Sequence, residues 1–570
     1  MRPLSDSPAT TRPPYLDAGL PVAARVADLL ARMSLADKVG QMTQAERASV
    51  TPADVTAYRL GSMLSGGGSS PTPNTARAWA DMYDGYQRAA LDTPLRVPLL
   101  YGVDAVHGHN NVHGATIFPH NIGLGATRDP ELVRRIGRAT AEEVAGTGIH
   151  WDFAPCLAVV RDPRWGRTYE AFGEVPAIPE AMATMVSGLQ DGVPSVLATA
   201  KHYLGDGGTT GGVDRGDTRL SEAELRALHL PPFRAAVERG VGSVMVSYSA
   251  WNGLPLHAHA YLLTTVLKGE LGFDGIVVSD YNAVDLIDGE PGFTPEEVRT
   301  AVNAGLDMVM VPSEWRRFIA VLCAEVEAGR VPMARVDDAV RRILTAKFRL
   351  GLFESPLADR SWTPSVGSPA HRALAREAVR ASQVLLHNDG GALPLARAGA
   401  RYLVTGRNAD DMGHQCGGWS ITWQGSSGAI TPGTTILDGI RAAAGGAEIV
   451  HDPGAERAGD GWTAAIAVLG EAPYAEFKGD RPELPGLDEA DLAVLARLRA
   501  AGVPVVVVLV SGRPLDVAAH AGDWAALVAA WLPGTEGAGV ADVLFGDHPP
   551  AGRLPVTWPG LYPFGHGLSY

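Results

Sequence analysis

Short apolar runs alternate with helical patterns along most of the chain. From about residue 97, six such runs end in polar or charged residues: VPLLYGVDAVHG, IHWDFAPCLAVVRD, SVLATAKHYLGD, GSVMVSYSAWNG, GIVVSDYNAVD and LDMVMVPS. Continuous apolar strands that alternate with helices are typical of a parallel sheet buried on both faces. The pattern predicts an α/β chain in which residues 21–353 form a (β/α)8 TIM-type barrel. Amphipathic spacing predicts one helix over Val22 to Met42 and a closing helix over Arg316 to Leu352.

A second α/β unit follows a segment rich in Pro and Ser. Residues 354–372 are predicted to be a linker. Beyond them, helical patterns separate five further apolar runs: RYLVTGRN, EIVHD, AAIAVLGE, VPVVVVLVSG and AALVAAWLPG. These runs predict an open α/β sandwich domain over residues 373–570. Residues 1–20 are polar and rich in proline, and we expect them to be a leader outside both domains.

Charge and hydropathy exclude several function classes. The chain has 48 basic and 63 acidic residues, a formal net charge of −15, so it would repel a phosphate backbone or an anionic membrane. We therefore expect no nucleic acid and no membrane as a partner, and the oligomeric state stays open. The longest Val/Leu run, residues 505–510, is too short to cross a bilayer.

Cysteine usage and the N-terminus bear on the compartment. Cys156, Cys323 and Cys416 are far apart and include no C-x-x-C pair, which favours free thiols in a reducing compartment. The N-terminal segment has no apolar stretch of the kind found in secretory signals. We therefore expect a cytoplasmic protein.

Polar side chains stand where several of the apolar runs end. In a (β/α)8 barrel the carboxyl ends of the strands form the active-site face. Asp, Lys and His directly after an apolar strand cost free energy unless they are paired. We interpret the recurrence as the sign of a catalytic mouth, and the alternative is that strands end at an ordinary polar surface. The residues are Asp104, His107, Arg161, Asp162, Lys201, His202, Ser247, Tyr248 and Asp280.

Two patterns in the sequence could indicate a cofactor or a metal, but each lacks residues that such a site requires. The glycine-rich stretch GDGGTTGGVDRGD lacks the GK[ST] of a phosphate loop, and no G-x-G-x-x-G follows a strand and opens a helix. His107, His109, His113 and His120 are dense enough to suggest zinc, but they form no H-E-x-x-H pattern. The glycines and asparagines around them predict a loop that these histidines organise by hydrogen bonds, so we expect no metal.

Two carboxylates remain as candidates for acid–base chemistry. Asp280 ends the strongly apolar run GIVVSD, and Glu476 lies on the loop after a run of the second domain. They are 476 − 280 = 196 residues apart, so only a fold that brings both domains together could pair them. Spacing alone leaves open that each is an ordinary surface residue.

Long stretches of the chain resemble glycoside hydrolase family 3, in particular its two-domain β-glucosidases and β-glucan exohydrolases. The matching stretches are YGVDAVHGHNNVHGATIFPHNIGLGATRDP, RDPRWGRTYE, AKHYLGDGGT, VMVSYSAWNG, IVVSDY, QCGGWSITWQG, GEAPYAEFKGD, LVSGRPL and YPFGHGLSY. The resemblance covers nearly the whole chain. It implies a barrel followed by an α/β sandwich with the active site between them, which agrees with the pattern of apolar runs.

The resemblance also implies roles for individual residues. Asp280 matches the family's nucleophile and Glu476 its general acid/base. Trp423 matches one side of an aromatic clamp around the next sugar, and Tyr281 stands where plant exohydrolases carry the tryptophan of the other side. The residues that match the pocket for the terminal sugar are Asp104, Arg167, Lys201, His202 and Tyr248.

Four positions depart from the plant pattern. Leu286 and Arg215 replace an arginine and a glutamate, so we expect different contacts at the outer site. Val160 and Thr168 replace a pair of cysteines, which fits a reducing compartment.

The implied activity is that of a retaining, exo-acting β-D-glucosidase without a cofactor, whose substrate is a small-molecule or oligosaccharide β-glucoside. Such an enzyme needs an ionised nucleophile and a protonated acid about 5 to 5.5 Å apart. The alternatives are a β-xylosidase or β-N-acetylglucosaminidase of the same family, or a non-catalytic sugar-binding protein. The glucosaminidases carry K-H-F-P-G-H-G and D-x-H on a loop, whereas this chain has Asp206 in place of the second histidine and no D-x-H.

Overall fold

A computed structural model describes residues 13–570 of the chain, and the predicted leader lies mostly outside the described residues. Within them, eight parallel strands follow one another around a closed ring. The strands are β1 Thr43–Glu46, β2 Ser62–Ser65, β3 Leu100–Val103, β4 Trp151–Asp152, β5 Thr199–Tyr203, β6 Ser243–Val246, β7 Ile276–Val278 and β8 Val309–Met310.

Two sheets make up this ring. One has the order β8-β1-β2-β3-β4 and the other the order β7-β6-β5. Single parallel bridges, Trp151 with Leu197 and Val278 with Met308, join the two sheets at both ends. The strands therefore present their carboxyl ends on one side of the molecule.

Helices separate the strands and cover the ring. They are α1 Val22–Arg32, α2 Leu35–Gln41, α3 Pro52–Tyr58, α4 Ala76–Leu91, α5 Asn121–Thr127, α6 Pro130–Ala145, α7 Ala177–Met182, α8 Thr184–Gln190, α9 Glu222–Leu228, α10 Leu230–Glu238, α11 Pro295–Ala304, α12 Trp315–Glu327 and α13 Met333–Arg349, with a π-helix at Tyr261–Glu270.

Two helices that the sequence predicts as continuous are each broken. The predicted helix over 22–42 splits into α1 and α2, because Ser34 and Asp37 form a capping box that starts a new helix. The predicted helix over 316–352 splits into α12 and α13 between residues 327 and 333. Gly329 adopts a φ of +73° there, and Pro332 precedes the first turn of α13.

Strands β1 and β2 were not predicted, because their sequences TQAE and SMLS carry polar side chains. All eight positions are nevertheless buried. Several of the polar groups are paired inside the ring: Gln44 Nε2 donates to Ser62 Oγ at 2.8 Å, and Ser62 Oγ donates to the Leu100 carbonyl at 2.7 Å. Internal hydrogen bonds thus replace the apolar signal on which the prediction depended.

The second domain is built on a six-stranded sheet within the described residues. Its strands are β9 Val384–Asn388, β10 Arg401–Thr405, β11 Glu448–His451, β12 Ala464–Gly470, β13 Val505–Val510 and β14 Ala526–Trp531, in the order β9-β14-β13-β12-β10-β11. Five of these are the predicted parallel strands. The sixth, β9, was not predicted and pairs antiparallel with β14 at the edge.

The helices of this domain are α14 Pro369–Ser382, α15 Met412–Cys416, α16 Ile436–Ala443, α17 Glu489–Ala500, α18 Ala518–Ala521 and α19 Ala538–Leu544. Helix α14 begins inside the predicted linker, and a 3-10 helix at Arg360–Ser365 precedes it. Thr363 Oγ1 in that segment donates to the Gly146 carbonyl of the first domain at 2.9 Å. The segment is therefore packed against the ring domain.

The two domains share an apolar contact. Most of the ring domain's buried side chains form one core, but Val160, Trp165 and Tyr169 belong to the core of the second domain instead. These residues lie on the loop after β4, at the carboxyl ends of the strands. The shared core fixes the second domain over this side of the ring. None of the helices between residues 13 and 570 has the length and apolar composition needed to cross a membrane.

Candidate active site

A cavity of about 720 Å³ opens where the strand ends meet the second domain. The ring domain supplies its floor, and loops around residues 423 and 476 of the second domain supply part of its wall. All the residues whose roles the family resemblance implies line this cavity: Asp104, Arg167, Lys201, His202, Tyr248, Asp280, Tyr281, Trp423 and Glu476. Four other residues expected at the strand ends do not line it: His107, Arg161, Asp162 and Ser247.

Asp280 follows β7 and enters the cavity from the ring. Its backbone N–H donates to His257 Nε2 at 3.1 Å, and its Oδ1 accepts from the Tyr281 N–H at 2.6 Å. The side chain is 15% exposed. Burial raises the pKa of Asp280 above its ordinary value, and the Arg167 guanidinium opposes this shift. Oδ2 remains directed to the cavity, 3.8 Å from His202 Nε2.

Glu476 approaches from the second domain. It begins a 3-10 helix, Glu476–Gly479, and has a φ of +52°, which few residues other than glycine adopt. Its Oε2 accepts a hydrogen bond from Arg215 Nη2 at 2.7 Å, and its Oε1 lies 4.0 Å from Arg167 Nη1. The side chain is 12% exposed, so one edge of the carboxylate faces the open part of the cavity.

Arg167 and His202 lie between the two carboxylates. Arg167 binds Glu170 through two hydrogen bonds of 2.9 Å and lies 3.2 Å from His202 Nε2 through Nη2. Burial, with help from the Arg167 charge, lowers the pKa of His202 far below its ordinary value, so the ring is neutral. Nδ1 then donates to Asp206 at 2.8 Å, and Nε2 accepts from Arg167.

Asp104 and Lys201 form an ion pair on another side of the cavity. Lys201 Nζ donates to Asp104 Oδ1 at 2.9 Å. Burial raises the pKa of Asp104, against the effect of the Lys201 ammonium. Burial alone would lower the pKa of Lys201, but the Asp104 carboxylate keeps it above its ordinary value. Both groups can make charge-assisted hydrogen bonds to hydroxyls of a ligand.

Aromatic rings surround the cavity mouth. Trp423 lies against Phe477 with ring centroids 5.8 Å apart, and Tyr281 is 45% exposed. Burial raises the pKa of both Tyr248 and Tyr281 to about 12, so their hydroxyls stay protonated. A Cβ on Gly67 would lie 2.6 Å from the Trp423 Cα, so glycine is required for the loop after β2 to approach this tryptophan.

Three of the four histidines of the 107–120 segment organise their loop by hydrogen bonds, whereas His113 is exposed. The rings of His107 and His120 stack with centroids 3.6 Å apart, and burial lowers the pKa of both. His107 Nδ1 bonds the Phe118 carbonyl, His109 Nε2 bonds Thr147, and His120 Nε2 bonds the Gly418 carbonyl of the second domain.

Among the described residues, one other group has metal-like spacing: Cys156, His202 and Asp206. Burial raises the pKa of Cys156, so it stays a thiol, and the neighbouring Arg167 charge disfavours a cation. The chemistry of these residues therefore does not favour a metal. All three cysteines are free thiols in the structure.

Comparisons with known proteins fit this two-domain site. The profile of the glycosyl hydrolase family 3 N-terminal domain matches residues 34–346, and the profile of the C-terminal domain of that family matches residues 383–570.

The chain belongs to glycosyl hydrolase family 3.

Three relatives illustrate the range of the similarity. A lysosomal beta glucosidase of Dictyostelium discoideum is 34% identical over 96% of this chain and 76% of its own length. A beta-xylosidase of Formosa agariphila is 31% identical over 85% of this chain and 76% of its own length. The crystal structure of an exo-1,3/1,4-beta-glucanase from a Pseudoalteromonas species has a TM-score of 0.92 at 42% identity, over 96% of this chain and 74% of that one.

Glu170, Trp419 and Phe477 of this family 3 enzyme lie at or beside the cavity and were not predicted from its sequence. Glu170 holds Arg167 and also accepts from Trp419 Nε1 at 3.1 Å, and the Phe477 ring lies next to Glu476. The stretches RTYE and GGWSITW already matched the family, so their acidic and aromatic residues were an available signal. Phe477 lies in GEAPYAEFKGD, which matched the family as well, so the same signal was available for it.

Arg215 is closer to the chemistry than the sequence suggested. As a departure from the plant pattern it was expected to alter contacts at the outer site. The structure instead places its guanidinium on Glu476, at 2.7 Å. The reason is the loop of residues 206–216, which runs along the loop that carries Glu476: the Asp214 N–H donates to Asp480 Oδ2 at 2.8 Å.

Proposed function

We propose that this family 3 enzyme is a retaining, exo-acting β-D-glucosidase that removes the terminal non-reducing glucose from β-glucosides or short β-glucans. We also propose that its eight-stranded ring is the (β/α)8 barrel expected from the sequence. The observation that carries the proposal is the meeting of Asp280 and Glu476, one from each domain, in a single cavity.

Charged groups deep in the cavity support binding of one terminal sugar. Asp104, Lys201 and Arg167 are each bonded to a protein partner and still line the cavity. Their hydrogen bonds to ring hydroxyls would involve a charged partner, and such bonds are roughly twice as strong as neutral ones. The ring domain supplies the floor of the cavity, and a pocket that is closed at one end favours removal of end units.

The first step forms a covalent intermediate. Asp280 attacks the anomeric carbon while Glu476 gives its proton to the glycosidic oxygen, and the aglycone leaves as an alcohol. Both the negative charge of Asp280 and the positive charge that develops on the sugar lie near the Arg167–His202 pair. His202 is neutral, so it does not add a repelling charge to the oxocarbenium-like transition state.

The second step releases the sugar. Glu476, now a carboxylate, takes a proton from water, and the water oxygen attacks the anomeric carbon. The bond to Asp280 breaks, and the sugar leaves with the β configuration it had in the substrate. A fresh reaction followed by proton NMR is expected to show β-glucose first; initial α-glucose would contradict retention.

A β-xylosidase activity is the second candidate, because one relative is named a beta-xylosidase. A xyloside lacks the exocyclic hydroxymethyl group, so a pocket built for glucose loses contacts with it. A panel of p-nitrophenyl β-D-glucoside, β-D-xyloside and N-acetyl-β-D-glucosaminide decides the matter. We expect the highest kcat/KM for the glucoside. A higher value for either other substrate refutes the glucosidase assignment, and no turnover of any refutes catalysis.

The bond from His202 Nδ1 to Asp206 supports glucosidase over glucosaminidase chemistry. In the glucosaminidase pattern a second histidine stands where this chain has Asp206, and here that side chain is tied to His202. We propose a cytoplasmic location as well, which the three free thiols support. Fractionation of cells that express the full gene is the test, and activity in an exported fraction would contradict it.

A further inference from the structure

The Glu476 carboxylate accepts one hydrogen bond from the described residues 13–570, and its donor is Arg215. Its Nη2 donates to Oε2 at 2.7 Å, whereas the next cation, Arg167, keeps 4.0 Å from Oε1. The guanidinium therefore fixes one oxygen of the carboxyl group and leaves the other toward the cavity. Within the described residues, Glu476 has no second donor that could hold this orientation if Arg215 were removed.

The guanidinium is itself held from several directions. Its carbon lies 4.3 Å from the centroid of the Tyr248 ring and 4.9 Å from that of Phe477, so two aromatic faces contact the cation. The backbone next to it is fixed as well, because the Asp214 N–H donates to Asp480 on the loop of Glu476. Arg215 thus has a preset position relative to the acid/base candidate.

The sequence makes this arrangement specific to chains that carry arginine here. The plant exohydrolases that the chain resembles have a glutamate at this position, and a carboxylate at 2.7 Å from Glu476 would repel it.

We infer that Arg215 is a positioning residue for the acid/base Glu476, an inference that rests on the proposed function. In the first step the proton passes from Glu476 Oε1 to the glycosidic oxygen, and negative charge develops on the carboxyl group. A guanidinium bonded to Oε2 interacts more strongly with that developing charge than with the neutral acid. Such an interaction stabilises the transition state more than the ground state and so accelerates the step.

Leaving-group dependence separates this role from simple support of the fold. Departure of a sugar needs protonation, whereas departure of 2,4-dinitrophenolate does not. Arg215→Ala is expected to lower kcat/KM for laminaribiose by about 10- to 100-fold, the range for loss of a charge-assisted hydrogen bond. For 2,4-dinitrophenyl β-D-glucoside the same variant is expected to stay within about 3-fold of the wild type, since kcat/KM reports the first step.

Two further variants sharpen the test. Arg215→Lys keeps a charged donor and is expected to recover part of the loss on laminaribiose. In a Glu476→Ala background, Arg215→Ala is expected to cause no additional loss, because a residue that acts through Glu476 has nothing left to position. Arg219→Ala is the matched control: Arg219 lies shortly after the loop of residues 206–216, its side chain is 74% exposed, and it pairs with Asp217.

The outcomes are distinct. Three results would overturn the inference while wild-type activity stands. Arg215→Ala could lower kcat/KM equally on both substrates, or on neither. It could also lower kcat/KM in the Glu476→Ala background as much as it does in the wild type. Failure of the wild type to cleave either glucoside would instead overturn the proposed function. If Arg215→Ala unfolds, the ratio of the two kcat/KM values for Arg215→Lys decides, and an unchanged ratio overturns the inference.

Discussion

The two carboxylates of the cavity have different neighbours. Asp280 accepts from the backbone N–H of Tyr281 and faces the neutral ring of His202, whereas Glu476 is bonded by Arg215 and approached by Arg167. Residues of the same acidic type are thereby suited to different roles. Asp280, the proposed nucleophile, is buried with one oxygen toward the cavity, and Glu476, the proposed acid/base, has one oxygen bonded by Arg215 and the other without a hydrogen bond from the described residues.

The burial of Asp280 has a consequence for the pH profile. Burial raises its pKa above the ordinary 3.8, and in the proposed role of nucleophile Asp280 acts only as a carboxylate. Activity is therefore lost as the pH falls through this raised pKa. We expect the acid limb of kcat/KM for p-nitrophenyl β-D-glucoside to lie above pH 3.8, which is the unshifted value.

Circular dichroism across the same pH range is the control that the protein stays folded. An acid limb at or below pH 3.8 in folded protein would contradict this environment for Asp280.

Tyr281 is proposed to hold the second sugar or aglycone opposite Trp423. It is 45% exposed at the cavity, as expected for a ring that awaits a ligand rather than one packed in the core. Stacking of this kind is worth about 0.5–1.5 kcal/mol, so Tyr281→Ala is expected to raise KM for β-linked disaccharides about 2- to 10-fold. Tyr281→Trp, with a larger ring face, is expected to lower it.

Kinetics on β-1,2-, β-1,3-, β-1,4- and β-1,6-linked glucose disaccharides measure this effect. Tyr570→Ala, at a tyrosine that is 40% exposed and outside the cavity, is the control. If neither Tyr281 variant changes KM or the ranking of linkages, the ring has only a structural role.

At the scale of elements, the position of Glu476 depends on loops from both domains. Asp480, which ends the 3-10 helix of Glu476, accepts from the Gly166 N–H and the Asp214 N–H, both at 2.8 Å. One carboxylate therefore joins the loop after β4, the loop after β5 and the loop that carries the acid/base. The geometry of the site is set by these contacts as much as by the strands.

Asp480→Ala removes both contacts and is expected to lower kcat/KM for laminaribiose at least about 10-fold. The value for 2,4-dinitrophenyl β-D-glucoside is expected to change less, because the loop displaces the acid and not the nucleophile. Glu483→Ala, at an exposed position of the same loop, is the control. Wild-type kinetics of Asp480→Ala on both substrates would show that the loop of Glu476 does not need the hydrogen bonds of Asp480 to hold its position.

The strands that consist of apolar runs could be predicted from the sequence. The strands whose buried side chains are polar and paired by hydrogen bonds could not. The runs through β3 to β8 and β10 to β14 carry enough valine, leucine and isoleucine to mark strands. Strands β1 and β2 are as buried as these, but they carry polar side chains such as Gln44 and Ser62, which bond each other inside the ring, so their sequences lack that apolar signal. The helix break at Ser34 follows from a capping box that could have been read in advance.

For the whole molecule, Arg513 connects the domains from a fully buried position. Its Nη1 donates to the Arg164 carbonyl of the ring domain at 2.9 Å, and its Nη2 donates to the Gly479 carbonyl at 2.6 Å. Its Nε donates to the Tyr474 hydroxyl at 2.9 Å. A single side chain thus satisfies polar groups on both sides of the domain contact.

Arg513→Met leaves those carbonyls without a partner and is expected to destabilise the protein by about 3–5 kcal/mol, the range for breaking a buried charged network. Differential scanning calorimetry is expected to show a lower Tm, or separate transitions of the two domains. Arg499→Met, at an exposed surface pair, is expected to leave Tm nearly unchanged. An Arg513→Met protein as stable as the wild type would contradict the account of the interface.

The site as a whole could be predicted only in part. Residues 280 and 476 were assigned through the family resemblance, because no spacing rule pairs groups from two domains. The contact between Arg215 and Glu476 was beyond the sequence, since it depends on how the loop of residues 206–216 lies along the loop of Asp480. The buried ion pair of Arg167 with Glu170 could not be predicted from the sequence either, although the i, i+3 spacing of the two residues permits it.

The most direct test of the central claim is covalent labelling of the nucleophile. A 2,4-dinitrophenyl 2-deoxy-2-fluoro-β-D-glucoside reacts through the first step, but its fluorine slows the second, so the glycosyl intermediate accumulates. Mass spectrometry of the digested protein is expected to place the fluoroglucosyl group on Asp280, and Asp280→Asn is expected to be folded, unlabelled and more than about 10³-fold less active. A label on another residue, or turnover to α-glucose without any label, would contradict the assignment of Asp280 and the retaining mechanism built on it.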